Sequence, residues 1–442
     1  METVTEMKKY QTFYKLIEDF DHRPGIAMLY ADETEESDEL RSVSYPELAA
    51  LIRERADLVR SSGKTVDIVL AEHTVDVVVQ IFADVIAGCT VVMADPDQPE
   101  DFLEQTAEAA RELRRSGGSD LAEGELLFCT SGTTSRSRVV RLTSRSLCTS
   151  AWSGQCMLPC GPEDRLLAML PYSHVFGFVC ALLWGLAYGA EIALSRGLRH
   201  IADDTLYFRP TILPAVPSLI GLLLRYDLLN PELRVALIGA APCGPEVVQA
   251  LRARGIDVYL GYGLTETSSG IAITQDLNEP EVLYPCPGAD FRISEDGEVT
   301  VVTPCMMTGY LGMEPLPEGA RFATGDLGSI DEAGRLHLLG RKKDVLLMPD
   351  GTKIYCPEYE SDLSRITGAE ELAVVRKDGH AVLLAGEGCD IAALRGAVAD
   401  YNRELPRSQQ IYDVIPVPGK LPRTATGKLR RWLLQERFEE GR

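Results

Sequence analysis

Along this chain, stretches in which apolar residues recur at helical spacing alternate with short aliphatic runs. Ser44 followed by Glu47 makes a capping box, after which Leu48, Leu51, Ile52, Ala56 and Val59 share one face, predicting a helix that stops near Gly63. Val66–Ala71 is short and aliphatic, Val77–Ile86 has helical length, and Thr90–Ala94 is again of strand type. The stretch reads β-α-β, for which parallel pairing is expected. The alternation returns at Thr211–Val216, at Val235–Ala240 and, after a helix over Pro245–Arg254, at Asp257–Gly261. Such repetition predicts an α/β architecture with helices covering parallel strands.

Beyond residue 290 or so the texture changes. Asp296-Gly297, Glu332–Gly334 and Asp378-Gly379 stand between short apolar runs, as hairpin turns do. A chain of 442 residues is also too long for one ordinary core. The expected organisation is a large N-terminal domain over 1–340, with a β-rich subdomain, and a smaller α+β domain over 341–442. Arg114–Gly124, with Ser116, Gly117 and Gly118, reads as a mobile loop. The most apolar run, Leu166–Leu194, is broken by Pro171, Ser173, His174, several glycines and Glu191, so buried core is expected there rather than a membrane span.

Charge narrows the partners. The 66 acidic residues outnumber the 44 basic ones and leave a formal charge of −22, which argues against broad attraction to nucleic acid or an anionic membrane. Any polyanion must therefore be met by local Arg and Lys. The 11 cysteines are scattered, and Cys156 and Cys160 have no second pair at zinc-site spacing, so small buried thiols in a reducing, cytoplasmic setting are expected. The first thirteen residues lack the continuous apolar core of a signal peptide. Oligomeric state is not legible.

The segment Phe128 to Arg138 is a strand running into a loop crowded with hydroxyls, one glycine and two guanidinium groups. Amides, hydroxyls and arginines converging on one turn suit a polyphosphate, although no Gly-Lys-Ser/Thr of a Walker loop follows. Downstream come Gly261 to Glu266 after a strand, Thr324 to Asp326, Gly340 to Asp344, and Pro422 to Lys428. These five segments, in this order, resemble the adenylate-forming superfamily of acyl-CoA synthetases, peptide-synthetase adenylation domains and luciferases, over nearly the whole chain. The look is nearest to acyl- or aryl-CoA ligases.

The resemblance implies ATP-dependent activation of a carboxylic acid to an acyl-adenylate, with release of pyrophosphate, followed by transfer to the thiol of coenzyme A. Thr130, Ser131, Gly132, Thr133 and Thr134 match the loop around the β- and γ-phosphates, and Arg138 stands in place of its lysine. Ser135, Ser137 and Val139 depart from the family's glycine, proline and glycine. Tyr262 matches the residue that stacks on adenine, with a core tyrosine as the alternative; Thr265 matches the α-phosphate contact and Glu266 the ligand of the magnesium ion. Asp326 corresponds to the carboxylate that binds both ribose hydroxyls, with Arg341 beside it. Lys428 matches the catalytic lysine of the mobile small domain, and Lys343 its hinge.

Pro171 to Gly177 resembles the segment carrying a histidine gate, His174, beside the acyl pocket. Val179, Gly239, Ala240 and Ala241 match its walls, which suit a fatty or aromatic acid. No acidic residue lies between Arg165 and Glu191 to pair with a substrate ammonium, which disfavours an α-amino acid. Two alternatives stay open: loading of a carrier-protein phosphopantetheine, and a non-catalytic nucleotide-binding regulator whose phosphate loop has drifted.

Overall fold

In the computed structural model, which describes residues 8–31, 40–117, 123–130, 138–423 and 429–439, the elements largely follow that periodicity. The Ser44 capping box is complete: its side chain accepts from the Glu47 amide, and the Glu47 carboxylate accepts from the Ser44 amide at 2.8 Å. The helix spans Tyr45–Ser62 and ends at Gly63, whose φ of 69° lies in the left-handed region open to glycine. Strands Val66–Leu70 and Thr90–Ala94 then pair in parallel through the helix Val75–Ile86. They belong to a five-stranded sheet that continues through Glu125–Cys129 and Val139–Thr143 to Gly309–Tyr310.

The second sheet has thirteen strands and changes character along its width. Glu191–Leu194, Arg165–Ala168, Ile212–Ala215 and Val235–Ile238 run parallel and are covered by helices, so their side chains are buried with little alternation. From Ser269–Thr274 outward the pairing is antiparallel. Strand Asp257–Leu264 is the seam, parallel to Val235–Ile238 on one side and antiparallel to Ser269–Thr274 on the other. Its carboxyl end opens where the connectivity changes, which is where open α/β sheets bind ligands. The hairpin turns are present, with Gly297, Gly334 and Gly379 at φ of 88°, 80° and 79°.

Between the two sheets lies the largest core. Phe178 stands 5.9 Å from Phe128 and 6.2 Å from Phe82, ring centre to ring centre, so the segment after His174 is wedged between sheets. The run Leu166–Leu194 resolves into strand, helix Val175–Phe178, a π-helical turn Val179–Leu183, helix Trp184–Tyr188 and strand. No described helix is long and apolar enough to cross a membrane. One expectation is corrected in its first part: Arg114–Gly117 is the end of the continuous helix Glu100–Gly117 and not loop, while 118–122 lie outside the described residues. Leu103, Thr106, Ala107 and Ala110 recur at helical spacing and are buried, which carries the helix up to the glycines.

After Arg341 the chain builds separate cores. Strands Leu372–Lys377, His380–Ala385 and Ile411–Pro416 form a small sheet. Val374 and Leu383 face a cluster with Leu363 and Leu394, from helices Cys356–Thr367 and Ile391–Tyr401. Val375 and Leu384 face the opposite cluster with Leu434 of helix Arg431–Glu439.

A buried carboxyl in the helix Val75–Ile86 makes stability depend on pH. Asp84 is fully buried; its Oδ2 accepts from Gln80 at 2.9 Å, and Oδ1 has no hydrogen-bond partner among the described residues. Burial pushes this carboxyl up to about 7, and the neighbouring Asp67 adds to the rise. The folded chain thus keeps a proton that the unfolded chain releases at lower pH, so the stability held here is whole in acid and is lost as pH climbs through the raised value. Asp84→Asn is expected to flatten the fall in Tm between about pH 4.5 and 7.5. Thermal melts across that range test this; parallel curves for the two proteins would place the dependence elsewhere.

Candidate active site

Strand Asp257–Leu264 leaves the seam into a single turn, Thr265–Thr267, and returns as Ser269–Thr274. The turn is tight because Gly263 of the outgoing strand is pressed against the returning one, where a Cβ would fall 1.8 Å from the Ser269 carbonyl oxygen. Thr267 fixes it from inside: the Leu264 amide donates to its hydroxyl at 3.0 Å, and the hydroxyl donates to the Ser269 carbonyl at 2.9 Å. Ser268 and Ser269 hold positive φ, 52° and 93°, backbone values that only a well-supported turn maintains for residues other than glycine. The Gly261 to Glu266 segment is therefore a rigid rod between two polar corners.

At one corner Tyr262 donates its hydroxyl to Asp326 Oδ2 at 2.7 Å, and Arg341 Nε lies 3.0 Å from Asp326 Oδ1. Asp326 and Arg341 face each other across the hairpin Phe322–Ile330 and Leu336–Arg341. The carboxylate is 5 % exposed, and burial raises it above the usual range, although Arg341 and the Tyr262 hydroxyl both favour the charged form. Both oxygens keep acceptor capacity beyond these contacts, since a carboxylate has about four lone-pair sites. The Tyr262 ring is mostly enclosed, 8 % exposed, with Phe291 6.5 Å away. Much of it is core, and only its remaining surface is open to a base.

At the other corner the neck of the hydroxyl-rich loop is closed by Thr130 and Arg138. The Thr130 amide donates to the Arg138 carbonyl at 2.9 Å, and the Arg138 amide to the Thr130 hydroxyl at 3.3 Å. Ser131, Gly132, Thr133 and Thr134 lie outside the described residues. The Arg138 guanidinium sits 5.0 Å above the ring of Tyr310, whose hydroxyl donates to Glu266 Oε1 at 2.8 Å. Burial, with Glu266 acting in the same direction, pushes that hydroxyl up to about 12, so it stays a donor. Tyr310 thus bridges the loop arginine and the metal-site candidate. Sequence reasoning missed it because Gly309–Tyr310 reaches this point only by pairing with the distant strand Val139–Thr143.

Thr265 opens the turn next to Glu266, both half-buried. Among the described residues no three His, Cys, Asp or Glu side chains cluster to hold a metal. A lone Glu266 fits magnesium all the same, because that ion keeps waters and takes its other oxygens from substrate phosphates.

The third wall is apolar. His174 directly precedes the short helix Val175–Phe178, without a side-chain capping bond, and is half-buried. Two residues on, the Phe176 ring lies so close to Gly239 that a Cβ there would meet ring atoms at 3.1 to 3.4 Å. Ala240 follows with φ of 66°, and Ala240 and Ala241 are exposed. Val179 is 1 % exposed and packs in the main core. Cys180 Sγ lies 3.5 Å from Ser269 Oγ, which joins this wall to the turn carrying Glu266. Lys343 sits in the single turn Lys342–Asp344 after Arg341. Lys428 lies outside the described residues, between Arg423 and Leu429, which form a β-bridge across the base of its segment.

Comparison with known proteins identifies the family. The sequence profile of the family described as AMP-binding enzyme matches residues 124–311. The chain is 32% identical over 383 residues, 78% of its length and 73% of the relative's, to a 7a-methyl-1,5-dioxo-octahydro-1H-inden-4-yl propanoyl:CoA ligase of Mycobacterium tuberculosis. It is 30% identical over 372 residues, 77% of its length and 74% of the relative's, to the 2-succinylbenzoate–CoA ligase of Bacillus subtilis. Among solved structures, ATP-bound MatB from Rhodopseudomonas palustris superposes with a TM-score of 0.81 at 22% identity, covering 98% of this chain and 99% of that one. The fold, the order of the segments and the extent of these matches show that the chain belongs to the AMP-binding enzyme family, among its CoA ligases.

Proposed function

We infer that the protein is an AMP-forming acid–thiol ligase. A carboxylate attacks the α-phosphorus of ATP, the bond to pyrophosphate breaks, and the acyl-adenylate then gives its acyl group to the thiol of coenzyme A with release of AMP. The observation that carries this reading is the rod from Tyr262 to Glu266. It joins a corner with a buried carboxylate and an arginine, suited to a ribose, to a corner with an arginine, hydroxyls and a single carboxylate, suited to a triphosphate and its ion. Bound magnesium supplies positive charge against the phosphates. Arg138 and Thr130 hold the β- and γ-phosphates, Thr265 the α-phosphate, Asp326 and Arg341 the ribose, and Tyr262 borders the base. Lys428, on a small domain from residue 341 that pivots at Lys343, offers an ammonium to the carboxylate and α-phosphate in the first step.

The acid enters beside His174, against Phe176, Gly239 and Ala240. A ring lying on a bare glycine makes a flat apolar wall, which favours a planar or ring-bearing acid over a flexible chain. The two relatives described above are named for acids of that kind. Coenzyme A is the acceptor; an acidic carrier protein would approach against a formal charge of −22. All eleven cysteines are free thiols, which suits the cytoplasm.

A panel of aromatic, alicyclic and fatty acids incubated with ATP and magnesium, with hydroxylamine to trap the adenylate, tests the first step. Repeating it with coenzyme A tests the second. Hydroxamate from ring-bearing acids and the matching thioester are expected; no product with any acid, despite nucleotide binding, would turn the reading toward a regulator.

A further inference from the structure

At the junction of the two regions, two lysines grip one turn. Ser294–Gly297 connects strands Asp290–Ile293 and Glu298–Val302. Lys342 Nζ lies 2.6 Å from Asp296 Oδ2 and 2.8 Å from Glu298 Oε2, and Lys353 Nζ donates to the Asp296 carbonyl at 3.0 Å. The other Glu298 oxygen, Oε1, accepts from the Gly325 amide at 2.8 Å. Gly325 directly precedes the carboxylate paired with Arg341, and Arg341 directly precedes Lys342. The contacts close a ring: Arg341 to Asp326, Gly325 to Glu298, and Glu298 to Lys342.

We propose that Glu298 is a positioning residue for nucleotide use, locking the segment before the Lys343 pivot and the Gly325–Asp326 turn into one rigid unit by binding Lys342 with one oxygen and the Gly325 amide with the other. Lys342 precedes the pivot, so it keeps its contacts to Asp296 and Glu298 while the part of the small domain beyond Lys343 turns. Lys353 lies beyond the pivot, so its contact to Asp296 is the one that breaks when the small domain turns. Glu298 thereby keeps Asp326 aimed while the lid moves. Its side chain is only 15% exposed, so this carboxylate is better shielded from solvent and salt than the outer Asp296 at 54%.

The kinetic side of this inference rests on the ligase reading; the amide contact does not. Glu298→Ala removes both contacts, whereas Glu298→Gln keeps an oxygen for the Gly325 amide and loses the charge for Lys342. Hydrogen exchange at Gly325 is expected to speed up about tenfold or more in Glu298→Ala and to stay near wild type in Glu298→Gln. The KM for ATP is expected to rise about five- to tenfold in Lys342→Ala with kcat little changed, and to recover in Lys342→Arg. Wild-type exchange at Gly325 in Glu298→Ala, or equal acceleration in both Glu298 variants, overturns the proposal. So does a Lys342→Ala loss that Lys342→Arg fails to restore. If the wild type activates no acid, the ligase reading fails while the exchange measurements still decide the coupling.

Discussion

Replacing Lys428 with alanine is expected to lower adenylate formation by about two to three orders of magnitude while leaving thioester formation from supplied acyl-adenylate within a few-fold of wild type. In the first step a carboxylate anion approaches a phosphorus already surrounded by anionic oxygens, and charge grows on the bridging oxygen as pyrophosphate departs. An ammonium placed there stabilises the transition state more than the separated reactants. In the second step the thiol attacks the carbonyl carbon of the acyl-adenylate and AMP leaves, with the small domain turned and its ammonium withdrawn, so Lys428 no longer bears on the charge that develops. Lys428 itself lies outside the described residues, directly before Leu429, which bridges to Arg423. Pyrophosphate exchange measures the first half-reaction, and thioester yield from synthetic acyl-adenylate the second. Equal losses in both would refute the assignment, and Lys428→Arg, which keeps the charge but alters its geometry, should recover only part of the first.

The parts of this molecule that local rules govern were legible along the chain. The Ser44 box, the Gly63 stop and the Asp296-Gly297 and Asp378-Gly379 turns depend on residues within four positions of each other, and each stands where periodicity placed it. That Tyr262, Asp326 and Arg341 belong to one site came from resemblance alone, since nothing local joins a strand to a turn some sixty residues on; the hydroxyl–carboxylate bond between Tyr262 and Asp326 came only with the fold. What escaped notice was set by long-range pairing. Tyr310 reaches Glu266 because a two-residue strand adds to Val139–Thr143. Glu298 looked like one polar residue in an alternating strand, and only the folded hairpins bring it to Gly325 and Lys342. The strand at the seam runs to Leu264, beyond its expected end at Gly261, because antiparallel partners on the far side extend the ladder. At Arg114–Gly117 the loop expectation gave way for the opposite reason: the glycines and serine were weighed above the buried helical stripe preceding them.

Removal of the Asp326 carboxylate carries the second large expectation, and its consequences for stability and for ATP can be separated. Asp326→Ala takes away the acceptor of the buried Tyr262 hydroxyl and the partner of Arg341. An orphaned buried hydroxyl costs about 1 to 3 kcal/mol, so this variant should melt lower than wild type. It also loses both acceptors that the proposed function assigns to the ribose, and kcat/KM for ATP should fall about a hundredfold, equivalent to roughly 2.7 kcal/mol. Adding Tyr262→Phe removes the orphan as well as its partner. The double variant is therefore expected to regain most of the stability and none of the ATP efficiency. Recovery of both together would mean that Asp326 acts only by holding the core around Tyr262. In the wild type, protonation of this carboxyl should weaken ATP binding on acidification, starting at higher pH than for an ordinary aspartate because burial raises its pKa. Asp326→Asn, which does not titrate, should bind ATP more weakly throughout and show no such acid limb.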